Sequence, residues 1–363
     1  GSYFHDSLTV IAGLRHDQFH GATRDIQRRD PVTGAPTQAG GIASDARVNT
    51  PQIAATYFPI PQVGVYAYKS DGFLPSTINT PKLDGSPAYN LAVSHAKGGG
   101  LRFNLLDRRL VGTVGYYDSY ERDRNSQITL GTLNNIWTAV GNAGGPNRPV
   151  IQTGGLAQYT DVSTIRAWGW EAEITANLTR GFRLTFNASF PHTRQTESLR
   201  DTRAYYALNL PTWAAYRSTA AVNNAVQSLE NLLAGSVDNR PQNGLYRHRF
   251  NTFANYTVQR GPLKNLRVGA GANIFGRQII GNTQASSFDF VYADAYHLVT
   301  GTLGYALKIR DHPVDFNLRL SNLLNYQEPI YRQGLTVVNN VAYRSQYYWP
   351  VPCSAQLTAT VRF

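Results

Sequence analysis

The chain has 363 residues, 42% hydrophobic and only 16% charged, with a net charge of +11, 12% aromatic residues, one Cys and no Met. The lone Cys353 excludes an internal disulfide and a cysteine zinc cluster, the aromatic content argues against disorder, and no window of 18 apolar residues offers a helical membrane span. The basic excess is 29 Arg against five Lys, scattered singly, so there is no nucleic-acid pattern. No signal-peptide pattern opens the chain, and a start at Gly1-Ser2-Tyr3-Phe4 without Met reads as the middle of a longer, processed or excerpted chain.

Period two, the spacing of a strand with two unlike faces, dominates from end to end. In chain order it predicts twelve strands, near 7–24, 47–60, 63–73, 90–104, 109–124, 163–177, 182–198, 246–259, 264–281, 287–309, 314–328 and 343–363. The clearest are Phe182-Leu184-Phe186-Ala188-Phe190, Val314-Phe316-Leu318-Leu320 and Leu357-Ala359-Val361-Phe363, each interleaved with polar residues. Connectors alternate in length. Short turns fall at 61–62, 106–108, 179–181, 261–263 and 310–313, and longer loops at 25–46, 74–89, 125–162, 199–245, 282–286 and 329–342. Loop 125–162, rich in Gly, Asn and Thr, reads as mobile. In loop 199–245, Val222, Val226, Leu229 and Leu233 recur at helical spacing before a stop at Gly235.

Alternating short and long connectors describe an up-and-down antiparallel sheet with one plain and one elaborated rim. Strands of ten to twenty residues exceed the five or six usual in a soluble sandwich, whereas about 9–11 suffice to cross a bilayer. The polar members include Arg183, Arg267, Arg319, Glu171, Glu173, Asn187 and Asn317. On a soluble core face these charges would be prohibitive; in a water-filled lumen they cost little. The pattern is therefore that of an all-β transmembrane outer-membrane β-barrel, apolar face to lipid. Trp168, Trp170, Tyr347, Tyr348 and Trp349 are expected near strand ends, as an interfacial girdle.

Three segments carry a family resemblance. Leu357-Thr-Ala-Thr-Val-Arg-Phe363 resembles the C-terminal signature of outer-membrane barrels. Val314-Asp-Phe-Asn-Leu-Arg-Leu-Ser-Asn-Leu-Leu-Asn-Tyr-Gln-Glu-Pro329 resembles a stretch in the penultimate strand of TonB-dependent receptors, and Ala167-Trp-Gly-Trp-Glu-Ala-Glu-Ile174, followed by a Thr-Arg-Gly turn and Phe182-Arg-Leu, resembles that family's "G-[VW]-E-x-E" strand pair. The resemblance implies that residues 1–363 are one domain, about 12 of 22 strands of a receptor barrel, with the N-terminal plug and first strands missing. It implies a bacterial outer-membrane location and TonB-energised uptake of a scarce ligand, such as a ferric chelate or a glycan. The implied partners are outer-membrane lipid, the TonB complex through the missing part, and the barrel-assembly machinery, which would read Leu357, Ala359, Val361 and Phe363. The alternative is a stand-alone twelve-stranded passive channel. Pro81-Lys-Leu-Asp-Gly-Ser-Pro-Ala-Tyr-Asn90 lacks the acidic residues the family often carries there, which leaves the ligand open.

The eight His form no metal-spaced cluster, and no nucleophile elbow or phosphate loop is present. No enzyme, cofactor or metal is expected, and Cys353 reads as a lone lipid-facing or rim thiol. The candidate ligand-binding residues are Arg102, Arg183, Arg249, Arg267 and Arg319 in the lumen, with Trp137, Trp213 and Tyr216 in the loops. The arginines would either create a positive field for an anionic ligand or pair with Glu171, Glu173 and Asp315. The loop aromatics would either contact ligand or pack the loops onto the rim.

Overall fold

The computed structural model describes residues 2–3, 7–29, 36–75, 80–84, 91–150, 152–153, 158–283, 288–309, 312–338 and 341–361. Twelve main strands follow one another as antiparallel neighbours: β1 (Leu8–Arg29), β2 (Pro36–Ile60), β3 (Val63–Pro75), β4 (Leu91–Leu105), β5 (Leu110–Thr129), β6 (Gln158–Ala176), β7 (Phe182–Thr196), β8 (Arg249–Thr257), β9 (Leu266–Phe275), β10 (Tyr296–Ile309), β11 (His312–Ser321) and β12 (Ser354–Val361). Two-residue strands at Ser2–Tyr3 and Gln152–Thr153 add to β1. Among the described residues β1 and β12 do not pair with each other. Among the described residues there are three helices: α1 (Gly131–Asn142), α2 (Arg200–Ala214) and α3 (Ala220–Gly235).

The period-two pattern sorts onto two faces as expected. Val65 pairs with Leu101, Leu101 with Val114, and Val114 with Ala172. Val268 pairs with Leu303, Leu303 with Leu318, and Leu318 with Leu357. These residues share the outer face and are not covered by the chain: Leu101 is 50% exposed, Leu303 43% and Leu357 67%. A sheet carrying so much uncovered apolar surface requires an apolar surrounding. Ile11 and Leu74 depart from the pattern, being exposed on the other face.

Several boundaries differ from the sequence expectation. The supposed loop 25–46 is largely strand, because β1 and β2 continue as a long hairpin. The segments near 264–281 and 287–309 each divide, the outer pieces Gln278–Asn282 and Phe290–Ala293 pairing with each other rather than joining the main sheet. The last segment also breaks, into Val341–Arg344, Tyr347–Tyr348 and β12, and Cys353 sits exposed between the last two. Loop 125–162 contains strand ends and α1 rather than an unstructured link. Trp168 and Trp170 lie inside β6, not at its end, because β6 runs far past the length needed to span a bilayer. Turn residues 310–311, and Phe363 of the C-terminal motif, fall outside the described residues; Leu357, Ala359 and Val361 lie on the outer face opposite Leu318, Phe316 and Val314.

The two faces make opposite demands on a charge. Leu303→Arg, at mid-strand on the outer face, should cost about 2–4 kcal/mol of folding in the membrane, whereas Thr300→Arg on the inner face should be tolerated. The readout is the fraction of full-length protein in outer membranes that migrates as a compact band before boiling; equal loss in both variants would contradict the assignment of faces.

Candidate functional site

All five lumen arginines lie on the inner face. One row of paired residues runs across it: Tyr66, Gly100, Gly115, Glu171, Ser189, Arg249, Phe275 and Tyr296. At Gly115 an added Cβ would meet the Tyr66 hydroxyl, so a larger residue would displace that ring. The Tyr66 ring thus lies across the glycines, with the Arg102 guanidinium 5.0 Å above it. Beside it a recess of about 270 Å³ is lined by Glu171, Glu173, Asn187, Arg249 and Asn251. Arg249 also stacks 4.9 Å over Phe275.

Of the expected ion pairs one is present, Arg267 with Asp315. Arg183 stands opposite Asn255, and Arg319 stands between Thr302 and Gln356. Among the described residues neither has a carboxylate within ion-pair range, and Glu171 and Glu173 have no cation there. No group of three His, Cys, Asp or Glu among the described residues could hold a metal ion.

Among the described residues the loop rim carries a compact buried core. Leu133, Ile136, Trp137 and Val140 of α1 pack with Tyr205 and Trp213 of α2 and with Val222, Val226, Leu229 and Leu233 of α3. The predicted α3 face is therefore real, and Gly235 does end the helix. Trp137 and Trp213 are 0% exposed and meet edge to face at 5.6 Å. They hold the cap together and present no surface to solvent. Trp137 Nε1 donates to the Tyr205 hydroxyl at 2.8 Å, and burial pushes the Tyr205 phenol up to about 12. Tyr216 is partly buried against this core, its ring closing on Gly145, where an added Cβ would sit 2.6 Å from the ring.

Helix α2 had no sequence signal, since Pro211 lies inside it and its apolar residues do not form one stripe. Two long-range devices hold it. Its N-cap, Leu199, has no capping side chain and a left-handed backbone (φ 54°). The buried Asp161 of β6 supplies the acceptor instead, taking the backbone N–H groups of Asp201 (3.0 Å) and Thr202 (2.9 Å) and the Thr202 hydroxyl. In return Arg203 of α2 donates to the carbonyls of Leu233 and Ser236, both at 2.8 Å, satisfying the C-terminus of α3. Arg217 grips Glu230 with two bonds of 2.9 and 3.0 Å, and Tyr206 donates to the same carboxylate at 2.8 Å. Under this cap a cavity of about 500 Å³ is lined by polar side chains including Arg124, Ser163, Gln195 and Arg240.

A meander of long strands, apolar outside and charged inside, with one rim built up into a folded cap, defines an outer-membrane β-barrel with a loop-side basin. The profile of the family described as "TonB dependent receptor-like, beta-barrel" matches residues 3–325. The chain belongs to the TonB-dependent receptor family, and its place is the bacterial outer membrane. Solved structures share the fold at low identity. FpvA of P. aeruginosa, in complex with iron and a heterologous pyoverdine, is 14% identical with a TM-score of 0.57, the match covering 95% of this chain and 38% of that one. BauA, the ferric preacinetobactin receptor of Acinetobacter baumannii, is 14% identical with a TM-score of 0.58, covering 99% and 41%. The FrpB iron transporter of Neisseria meningitidis is 11% identical with a TM-score of 0.57, covering 98% and 43%. The chain thus spans about two fifths of the length of these structures. No curated protein sequence matches it.

The cap's dependence on remote charges is testable by limited proteolysis of the full-length protein at residues 197–236. Asp161→Ala should leave buried donors unmatched, cost the cap about 2 kcal/mol or more, and speed cleavage. The Arg217 hydrogen bond holds the Glu230 carboxyl below the usual carboxylate range. Its contribution is therefore complete above the ordinary Glu value of about 4.3 and is lost as pH falls through the lowered value. Cleavage should accelerate only on acidification past that point, and Glu230→Gln should remove this acid step; unchanged cleavage in Asp161→Ala would contradict the capping role.

Proposed function

We propose that the chain forms the C-terminal wall of a receptor that takes up an anionic ferric chelate by TonB-energised transport. The observation that carries this reading is the inner face, where Arg102, Arg183, Arg249, Arg267 and Arg319 gather on one wall and Arg183 and Arg319 have no carboxylate partner among the described residues. Unneutralised cations in a walled lumen focus a positive field and raise the local concentration of anions. Supporting it, the receptors of like fold named above are described as binding or carrying iron or ferric siderophores. In this reading the cap and Tyr216 close the outer end of the basin, and Trp137 and Trp213 act by holding the cap's shape. A glycan would find fewer uses for Arg183 and Arg319, which is why the anionic chelate is preferred. The C-terminal strand, through Leu357, Ala359, Val361 and Phe363, would be the segment read by the assembly machinery.

The test is uptake of radiolabelled ferric chelates by cells whose only receptor is the full-length protein. Uptake should stop when TonB is deleted or the proton gradient is collapsed. Arg183→Gln with Arg319→Gln should weaken chelate binding about tenfold, since two charge-assisted contacts of at least 0.7 kcal/mol each give that factor. Uptake that persists without TonB would instead favour a passive channel.

A further inference from the structure

Beside β7 the wall changes its construction on the loop side. β7 and β8 share eight consecutive pairs, from Phe182 opposite Tyr256 to Ser189 opposite Arg249, where β8 begins. Beyond Ser189, β7 keeps β6 on one flank. On the other it meets a strap, residues 239–247, that leads from the cap back to β8. One isolated bridge joins the strap to β7, Gln195 opposite Arg240, and another joins it to the Gln278–Asn282 piece, Tyr246 opposite Gln278. Asn239 N–H donates to the Gln195 carbonyl and Gln195 N–H to the Arg240 carbonyl, both at 2.8 Å. Gln242 N–H donates to the Thr193 hydroxyl at 2.9 Å. Pro191 of β7 and Pro241 of the strap have no N–H to donate, which interrupts any ladder between them. Asn239 (φ 68°) and Gly244 (φ 88°) are left-handed and bracket residues 240–243, so the chain bends at both ends of this stretch. Thr193 is the twelfth residue of β7, beyond the 9–11 that cross a bilayer, so the strap stands in water.

A hollow lies on each side of it. Outside, a cleft of about 540 Å³ is bordered by Trp168, His192 and Arg194, on the same face as Ala172. Inside is the cavity of about 500 Å³ under the cap, bordered by Ser163 and Gln195, on the same face as Glu171. Pro241 and Gln242 border both. At these two residues the wall between the hollows is one strap thick. Arg194 and Arg247 border the outer cleft, Arg124 and Arg240 the inner cavity, and among the described residues neither is bordered by a carboxylate. An anion would therefore meet a favourable field on both sides. The cap is the harder part to move. Its core includes Tyr159 of β6, so lifting the cap off the wall would expose that core to water, whereas moving the strap off β7 breaks the hydrogen bonds just named.

We propose that the strap is a side door: it swings about Asn239 and Gly244, joins the two hollows, and admits an anionic solute from beside the receptor to the inner face while the cap stays shut. The route rests on the reading of the inner face as an anion-binding wall, so it is tested with and without cargo. In the full-length protein carrying Cys353→Ser, the pair Thr193→Cys and Gln242→Cys replaces the strap contact by a disulfide. Oxidation should cut uptake of radiolabelled ferric citrate or ferric catecholate at least about tenfold, and reduction should restore it, as for closure of the main path. Without cargo, a single cysteine at Ser126, which borders the inner cavity, is labelled from outside by fluorescein maleimide, an anionic probe. Thr193→Val, which deletes the hydrogen bond to the strap, should speed labelling about fivefold. Arg217→Gln, which loosens the cap, should leave the rate unchanged. Failure of the unlocked protein to take up either chelate would count against the cargo alone, and the labelling rates would still decide the route. Uptake undiminished by a fully formed disulfide, or labelling that quickens in Arg217→Gln and not in Thr193→Val, would overturn the proposal.

Discussion

Everything in this chain follows from one requirement: in hydrocarbon, a backbone N–H or C=O without a partner costs several kcal/mol. Among the described residues the ten inner strands, β2 to β11, answer it by pairing on both sides with their chain neighbours, so that no strand pairing within the sheet crosses over another. Once the backbone is satisfied, the side chains are free to invert the usual order of a protein. Apolar residues such as Leu101, Leu303 and Trp170 face outward, and Arg102, Arg183, Arg249, Arg267, Arg319, Glu171 and Glu173 face the interior. The hydrophobic effect, which needs water to expel, then builds a compact core at the loop rim, where α1, α2 and α3 bury two tryptophans.

That displacement gives the molecule two different kinds of order. The wall is held by backbone registers that repeat over many residues. The cap is held by a few specific side chains: Asp161 and Arg203 reach between separate elements, and Arg217 ties the turn before α3 to Glu230. The inner face between them is the surface a ligand would meet. It is charged but incompletely paired: Arg267 has its Asp315, while Arg183 and Arg319 face only uncharged neighbours.

The same division explains what could be read from the sequence. Strand faces were legible because their period is two and lipid enforces it at every residue; Phe182 to Phe190 and Val314 to Leu320 needed no structure to sort. Helix α3 was legible because its apolar residues recur at helical spacing. Helix α2 was not, because its stability comes from Asp161 and not from its own pattern. The long hairpin of β1 and β2 was missed because beyond the bilayer nothing enforces alternation, so its polar stretch resembles a loop. The same loss of pattern hid the position of Trp168 and Trp170, which lie inside β6 and not at its end. The lumen arginines could be placed on a face but not paired, since pairing depends on registers between strands, which single-strand patterns do not contain.

The central claim, that alternate residues of one strand face lipid and water, has a direct measurement. In a Cys353→Ser background of the full-length protein, single cysteines are placed along β10 at Val299, Thr300, Thr302 and Leu303 and challenged in intact outer membranes. The inner positions Thr300 and Thr302 should react with a small charged thiol reagent, while Val299 and Leu303 should resist it and, when spin-labelled, respond to a relaxation agent dissolved in lipid. Uniform reactivity along β10, or reaction at Val299 and Leu303 with protection of the threonines, would contradict it.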